Sequence, residues 1–261
     1  MDGERVLALE GVHNFRDYGG YATAGGGRVR KGILWRSGQH FGASGADLDR
    51  IEALSLRHVV DLRGNSERER SPCKRSTGFS ARVMFYDGET AGLAPHIEAS
   101  GGVTGAASAH RAMVTLYDEI AFRPSLTSIL RRYFAEALAG EGASLVHCHA
   151  GKDRTGLAVA LVHHILGVRR DDMMADYLLT NTAGNNEKRI ADALAQQAGG
   201  GVMSGVPEAA IRVLMNVDEA FLAAALASIE RRHGTIDAYL EAVLGVDAAA
   251  RAGLCRRYIE G

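Results

Sequence analysis

One ten-residue stretch, "HCHAGKDRTG" (147–156), constrains the fold more than any other part of the chain. It overlaps a short apolar run, "ASLVHC" (143–148), and leads into an apolar segment, "RTGLAVALVHHILG" (154–167), that ends at a glycine. This order predicts a buried strand, a glycine-containing loop and a helix. Such a unit presents backbone N–H groups and the positive end of the helix dipole to the loop, so we expect the loop to bind an anion.

The residue types in this loop point to a nucleophile held beside that anion. Cys148 ends the strand, where the helix dipole, the loop amides and Arg154 all favour the thiolate over the thiol. The Cys-x5-Arg spacing lets the guanidinium of Arg154 return to face the sulfur, and its planar fork suits two phosphate oxygens. Gly151 permits a backbone conformation that an L-residue resists, so successive amides can converge.

The chemistry that this pattern predicts is in-line attack by Cys148 on a phosphate monoester. A phosphocysteine forms, and water then cleaves it. The loop amides and Arg154 stabilise the developing charge, so the sequence predicts neither a metal nor any other cofactor. Thr155 can offer its hydroxyl to the departing sulfur, and we expect His147 to order the loop through hydrogen bonds.

Other interpretations of the same stretch fit less well. A nucleotide-binding loop needs Gly-x4-Gly-Lys-Ser/Thr, whereas Asp153 follows Lys152 here. A zinc site formed by His147, Cys148 and His149 would use neighbours that point in alternate directions along a strand, without a second ligand pair at useful spacing. A chance Cys-x5-Arg remains, but the flanking histidine, glycines and threonine argue against it.

The rest of the chain predicts an α/β domain with a helical C-terminal half or cap. Short apolar runs predict strands at "ILWRS" (33–37), "HVVDL" (58–62) and "RVMFY" (82–86), and a helix between the first two begins with a capping box formed by Ser44 and Asp47. A helix is also expected at 124–140, and from 171 to 261 nearly all of the chain has helical patterning, interrupted by "QAGGGVMSGVP" (197–207). We expect a single domain over 1–261 with a loop or flap insertion at about 87–108.

Composition excludes some functions and leaves others open. With 261 residues and a formal net charge of -1, the chain has no global attraction to nucleic acid or to a membrane surface. Its three cysteines are scattered, the N-terminal segment lacks the apolar core of a signal peptide, and the apolar runs are too short to span a bilayer. We therefore expect a cytoplasmic protein without an integral membrane segment, and the sequence does not indicate its oligomeric state.

The "HCHAGKDRTG" stretch resembles the signature loop of cysteine-dependent protein tyrosine phosphatases, and most closely that of the atypical bacterial tyrosine/serine phosphatases of the secreted mycobacterial B type. Further segments resemble that family in the same order along the chain: "NFRDYGG" (14–20), "ILWRSGQ" (33–39), "VVDLRGNSER" (59–68), "DYLLTN" (176–181) and "RHGTIDAYLEAVLG" (232–245). The resemblance implies a phosphatase-like central sheet flanked by helices. It also implies that Cys148 is the nucleophile, that Arg154 is the phosphate clamp, and that the other phosphate-binding residues are His149, Ala150, Gly151, Lys152 and Asp153.

The general acid is the open assignment. Standard tyrosine phosphatases carry it in a Trp-Pro-Asp motif, which this sequence lacks. Asp153 matches the in-loop aspartate of myotubularin-type lipid phosphatases, while Asp61 and Asp87 end predicted strands and are its rivals. Arg36 and Arg63 also follow strand ends, where they could support the loop, contact phosphate or form ordinary salt bridges.

The substrate class follows from the same resemblance. It implies phosphotyrosine proteins, with phosphoserine and phosphothreonine proteins as further candidates. Lys152 resembles the loop lysine of lipid phosphatases, so a phosphoinositide or another small polyphosphate is the alternative substrate. A module that binds phosphorylated partners without hydrolysing them is a minor alternative, since both Cys148 and Arg154 are present.

Overall fold

A mixed five-stranded sheet forms the centre of the computed structural model, which describes residues 5–90, 98–198 and 203–261. The strand order is β1-β3-β6-β4-β5, in which β3, β6, β4 and β5 run parallel and β1 lies antiparallel to β3. A second, two-stranded sheet pairs β2 with β7. The strands are β1 (Arg16–Asp17), β2 (Arg28–Val29), β3 (Leu34–Ser37), β4 (Leu56–Asp61), β5 (Arg82–Phe85), β6 (Ala143–His147) and β7 (Ile259–Glu260).

Helices flank the central sheet and make up most of the C-terminal half, as the sequence predicts. Between Pro124 and Leu138 an α-helix passes into a π-helical turn, Tyr133–Leu138. A short 3-10 helix spans Leu179–Asn181. The α-helices are α1 (Gly45–Glu52), α2 (Asn65–Arg70), α3 (Ala106–Ile120), α4 (Pro124–Arg132), α5 (Asp153–Ile165), α6 (Arg170–Leu178), α7 (Asn186–Ala198), α8 (Glu208–Met215), α9 (Glu219–His233), α10 (Ile236–Leu244) and α11 (Ala248–Tyr258).

The strand predictions are confirmed with small shifts of their ends. The run at 58–62 belongs to β4, which begins two residues earlier at Leu56, and the runs at 33–37 and 82–86 form β3 and β5. The predicted capping box is present: the Ser44 hydroxyl accepts from the Asp47 amide, and the Asp47 carboxylate accepts from the Ser44 amide. The sequence predicts these elements correctly because strand burial and helix capping depend on residues that are close together in the sequence.

Two predicted segments fall partly on residues outside the described ranges. Within the predicted insertion at 87–108, the structure describes 87–90 and 98–108, and α3 begins at Ala106. The glycine-rich break at 197–207 lies between α7 and α8, with 199–202 outside the described residues. Over the described ranges, no helix combines the length and apolarity needed to cross a membrane.

The parallel strands bring their carboxyl ends to one edge of the sheet. Ser37, His147 and Asp61 are register partners at the last positions of β3, β6 and β4. Nearly every residue of α5 is buried, because this apolar helix packs against the sheet on one side and against α6, α9 and α11 on others. The β6–α5 loop is therefore held at the edge where ligands of α/β sheets bind.

Candidate active site

Cys148 lies directly after β6, at the start of the loop that leads into α5. The residue is only 1% exposed. Three residues further on, Gly151 adopts a φ of 68°, in the left-handed region. A Cβ at this position would lie 2.4 Å from the carbonyl oxygen of Ser37, so only glycine lets the loop approach the end of β3 so closely.

Two side chains from the N-terminal part of the chain hold the loop from below. Asn14 Nδ2 donates to the carbonyl oxygen of Gly151 at 2.8 Å, and Arg36 Nη2 donates to the same oxygen at 2.9 Å. Arg36 also donates to Asp176 at 2.6 Å, and Arg16 pairs with the same carboxylate at 3.3 Å. Burial opposes ionisation of Asp176, but the two arginines outweigh it and hold the pKa of this carboxyl well below its ordinary value.

The amides of the loop remain available to a ligand. Among the described residues, no group accepts a hydrogen bond from the backbone N–H of Ala150, Gly151 or Lys152. The loop then enters the first turn of α5 at Asp153, whose N-terminal amides carry the positive end of the helix dipole. An anion that reaches Cys148 would meet these donors.

Arg154 is clamped by a carboxylate that comes from α2. Its Nη1 and Nη2 atoms donate to the two oxygens of Glu67 at 2.6 and 2.7 Å, and Nη1 also donates to the carbonyl oxygen of Leu62 at 3.0 Å. Burial disfavours both charges, yet their mutual hydrogen bonds prevail: they raise the pKa of Arg154 and lower the pKa of Glu67 to about 2. The Nε atom of Arg154 is buried and has no partner among the described residues, so the guanidinium keeps a donor for a ligand.

A chain of hydroxyl groups ends on Asp153. Tyr177 donates to the hydroxyl of Tyr117 at 2.7 Å, and Tyr117 donates to Oδ1 of Asp153 at 2.8 Å. Burial raises the pKa of each tyrosine well above its ordinary value, so both remain donors at neutral pH. The carboxyl of Asp153 is thus fixed in place next to Arg154.

Lys152 points away from the loop amides and toward α8. Its Nζ atom donates to the carbonyl oxygen of Asn216 at 3.0 Å and to that of Leu214. These carbonyls lie at the C-terminal end of α8, where the helix dipole favours a cation. The ammonium also lies 3.6 Å from Oδ1 of Asp153. The phosphate-binding role that the resemblance implies for Lys152 is therefore not the contact seen here, and it stays a prediction.

His147, Asp61 and Arg63 form a layer beneath the loop. Arg63 donates to both oxygens of Asp61, at 2.9 and 2.7 Å, and to Sγ of Cys73 at 3.1 Å. Burial opposes ionisation of Asp61, but His147 and the hydrogen bonds from Arg63 hold its pKa well below the ordinary value. Burial lowers the pKa of His147 to about 4, so its imidazole is neutral at neutral pH.

The same layer includes a group with the chemistry of metal ligands. One ligand atom each from Asp61, Cys73 and His147 lies within 4.8 Å of the others. The guanidinium of Arg63 contacts both Asp61 and Cys73, which places a permanent positive charge where a metal ion would have to bind. We therefore interpret this group as packing beneath the loop.

Comparison with known proteins places the chain in a family. The model of a family described as the tyrosine phosphatase family matches residues 7–260. The chain belongs to this tyrosine phosphatase family.

Two curated relatives cover nearly the same length. A Cupriavidus necator protein, provisionally named a tyrosine-protein phosphatase, is 36% identical over 260 residues, covering 97% of this chain and 89% of the relative. The Mycobacterium tuberculosis triple specificity protein phosphatase PtpB is 30% identical, covering 90% of this chain and 92% of the relative. The chain is thus a phosphatase, and its family implies phosphoprotein substrates.

The predicted loop residues of this phosphatase lie together in one site. Some of the residues that were predicted to support the loop lie there as well. His149, which is partly buried, accepts from the amide of Gln39 through its carbonyl oxygen. The hydroxyl of Thr155 is buried with no hydrogen-bond partner among the described residues. Arg36 supports the loop directly, whereas Arg63 acts on Asp61. Asp87, the third candidate acid, is exposed and accepts from Asn65.

Sequence reasoning missed several side chains that organise the phosphatase site: Glu67, Tyr117, Asp176 and Tyr177. Two of the segments that resemble the family contain three of these residues, since "VVDLRGNSER" includes Glu67 and "DYLLTN" includes Asp176 and Tyr177. Each lies on a helix among ordinary polar neighbours, so no local pattern marks it. The general rule that a buried arginine needs a carboxylate could have found Glu67 and Asp176, but it gives no signal for the two tyrosines.

Proposed function

We propose that the phosphatase hydrolyses phosphotyrosine in proteins through a phosphocysteine on Cys148, without a metal ion. The observation that carries this proposal is the buried sulfur of Cys148 at the start of a loop whose arginine is already oriented by Glu67. The amides of Ala150, Gly151 and Lys152 in this loop have no acceptor among the described residues. Preorganised donors of this kind stabilise the charge of a transferring phosphoryl group without reorganising during the reaction.

The reaction has two steps. In the first, the Cys148 thiolate attacks phosphorus, an S–P bond forms, and the bond from phosphorus to the tyrosine oxygen breaks. The leaving oxygen takes a proton from Asp153. In the second, water gives a proton to Asp153 and attacks phosphorus, and the S–P bond breaks to return the thiolate and inorganic phosphate. The unpaired hydroxyl of Thr155 would stabilise the departing sulfur.

Asp153 is the acid that we propose among the three candidates. Asp61 is bound on both oxygens by Arg63 and kept ionised, so it has no proton to give. Asp87 lies at the surface against Asn65. Asp153 directly precedes Arg154 and is oriented by Tyr117, which supports a role at the leaving oxygen.

Replacing Asp153 tests this assignment through the leaving group. We expect Asp153→Asn to slow hydrolysis of a phosphotyrosine peptide by about 100-fold or more, because its phenolate needs a proton, and to slow p-nitrophenyl phosphate much less. Steady-state kcat on both substrates is the measurement, with Asp87→Asn as the control. An equal loss on the two substrates would reject Asp153 as the acid.

The proposed substrates are phosphoproteins rather than lipids. The relative from Mycobacterium tuberculosis is named for triple specificity, and we propose that this phosphatase likewise acts on more than phosphotyrosine, with phosphoserine and phosphothreonine in proteins as the further substrates. The phosphoinositide alternative depends on Lys152 facing the substrate, and its ammonium is bound instead by carbonyls of the α8 end. The cytoplasmic location and the single-domain boundaries stay predictions of the sequence.

The test of the mechanism is turnover of p-nitrophenyl phosphate with excess EDTA. We expect full activity in EDTA and a loss of more than about 1000-fold in Cys148→Ser. Cys255→Ser is the matched control, because that thiol lies on α11 and donates to the carbonyl oxygen of Ile165, away from the loop. Undiminished activity in Cys148→Ser, or its loss in EDTA, would overturn the proposal, and activity dependent on Arg154 would exclude a binding-only module.

A further inference from the structure

Arg189 is a cation near the nucleophile that the mechanism above does not use. It lies in the first turns of α7 and is partly buried. Within the part of the chain that the structure describes, its guanidinium makes no hydrogen bond or ion pair. The carboxylate one turn further along α7, Asp192, is bound by Lys188 at 2.8 Å. Arg189 therefore has no partner for its charge among the described residues, and its guanidinium nitrogens stay open to water or to a ligand.

The helix that carries Arg189 is fixed against the phosphate-binding loop at its N-terminal end. Asn185, just before α7, bonds through Oδ1 to Nδ1 of His13 at 2.8 Å. Gly184 fits tightly against the chain there, since a Cβ on it would lie 2.9 Å from the amide nitrogen of Asn14. Because Asn14 also holds the carbonyl of Gly151, the start of α7 and the loop share one support.

The same end of α7 is also held through its neighbour α8, because Asn186 Nδ2 donates to Oδ1 of Asn216 at the end of α8. α8 packs against α7, and the C-terminal end of α8 accepts hydrogen bonds from Lys152 of the loop. The N-terminal end of α7, which carries Arg189, is therefore positioned beside the loop by two independent sets of contacts. This packing holds the helix that carries Arg189 beside the loop, although no described side chain pairs with Arg189.

The two charges that act most strongly on Arg189 belong to active-site residues, and Asp192 of α7 comes after them. Burial lowers the pKa of Arg189 to about 10, and the negative charges of Cys148 and Asp153 oppose that shift. In return, burial and then the charge of Arg189 lower the pKa of His13 to about 3, which keeps that neighbour neutral. The guanidinium thus remains charged at neutral pH, within electrostatic reach of the nucleophile and the proposed acid.

We propose that Arg189 is a second substrate-contacting arginine, which binds an oxygen of the phosphoryl group that Arg154 and the loop amides leave exposed. This inference rests on the proposed function, because it requires a phosphate monoester dianion beside Cys148. The bound phosphoryl group supplies the negative partner that Arg189 lacks in the free protein. Arg189 thereby supplies a phosphate contact from α7, outside the signature loop.

The test compares Arg189→Met, which keeps the apolar stem, with Arg189→Lys and with Lys188→Met. Lys188 is exposed on the same turn, so its loss changes net charge equally. We expect the KM for p-nitrophenyl phosphate and the Ki of inorganic phosphate to rise about 10- to 100-fold in Arg189→Met, as for loss of a hydrogen bond to a charged group. We expect partial recovery in Arg189→Lys and unchanged constants in Lys188→Met. The melting temperature of Arg189→Met should not fall, because the charge removed is unpaired.

A binding measurement separates this inference from the proposed function. Calorimetric titration of inorganic phosphate into Cys148→Ser and into Cys148→Ser with Arg189→Met reports anion binding without turnover. Weaker binding in the double variant supports the role of Arg189 even if Cys148→Ser were to retain activity and the covalent mechanism were to fail. An unchanged phosphate affinity and Ki on loss of Arg189, or an equal effect of Lys188→Met, would overturn it.

Discussion

The buried cations around Cys148 differ in the groups to which they donate hydrogen bonds. Arg36 and Arg16 share the carboxylate of Asp176, and Arg36 uses its remaining donor to hold the loop. Lys152 is bound to the end of α8. Arg154 has its Nη atoms fixed by Glu67 and keeps its Nε for a ligand. Since a buried charge must be paired or hydrogen-bonded, these partners decide which cation can receive a phosphate.

Glu67 is the residue whose replacement tests this division. Glu67→Gln keeps the shape of the side chain but removes the charge that orients Arg154. We expect kcat/KM to fall by about 100-fold, because a misplaced clamp loses near-attack geometry, and stability to fall by up to about 3–5 kcal/mol, because one partner of a buried pair remains charged.

The matched control for this variant lies on the same helix. Glu69 is exposed on α2, so Glu69→Gln should leave both kcat/KM and the unfolding midpoint unchanged. Steady-state kinetics and urea unfolding are the measurements. A Glu67→Gln protein as active as wild type would show that Arg154 needs no such orientation.

Individual side chains were predictable only where the chemistry is local. Cys148, Gly151 and Arg154 belong to one loop, so their spacing alone indicates a phosphate-binding nucleophile. Glu67 reaches Arg154 from 87 residues away, and Asp176 reaches Arg36 from 140 residues away. A sequence pattern cannot identify such partners. It also cannot indicate that the ammonium group of Lys152 binds the carbonyls at the C-terminal end of α8.

Among the secondary-structure elements, α8 is stabilised by the loop, because Lys152 donates hydrogen bonds to the last carbonyl groups of this helix. We expect Lys152→Met to leave the carbonyl oxygens of Leu214 and Asn216 unpaired, at a cost of about 1–3 kcal/mol in that region. Amide hydrogen exchange should therefore accelerate in α8 and α7 while the strands of the central sheet keep their protection.

Lys188→Met serves as the comparison for that variant, because Lys188 is exposed on α7 and pairs with Asp192. Its exchange profile should match that of the wild type. If α8 were equally protected in Lys152→Met, then the contact between the loop and this helix would not contribute to its stability.

The elements themselves were easier to predict than their detailed form. Strands β3, β4 and β6 follow from apolar runs because both faces of a parallel sheet are buried. The expected helix at 124–140 is present as α4, but its second half is a π-helical turn, Tyr133–Leu138. Hydrophobic spacing marks the buried face and does not distinguish one helical hydrogen-bond pattern from another.

For the chain as a whole, the net charge does not reveal that positive side chains are concentrated around the phosphate-binding loop. The formal net charge of -1 gives no sign of an anion site, because Arg16, Arg36, Lys152, Arg154 and Arg189 are concentrated around one loop. The family match over residues 7–260 agrees with this arrangement, since the N-terminal segment, the sheet and the C-terminal helices all contribute to the site.

The measurement that tests the central claim most directly is detection of phosphate on Cys148 itself. The protein would be mixed with excess p-nitrophenyl phosphate, quenched within the first turnovers and digested, and the peptides examined by mass spectrometry. The account predicts one added phosphoryl group on the peptide that contains Cys148, formed together with a burst of p-nitrophenol. Rapid turnover without phosphate on that peptide, or with phosphate on another residue, would contradict it.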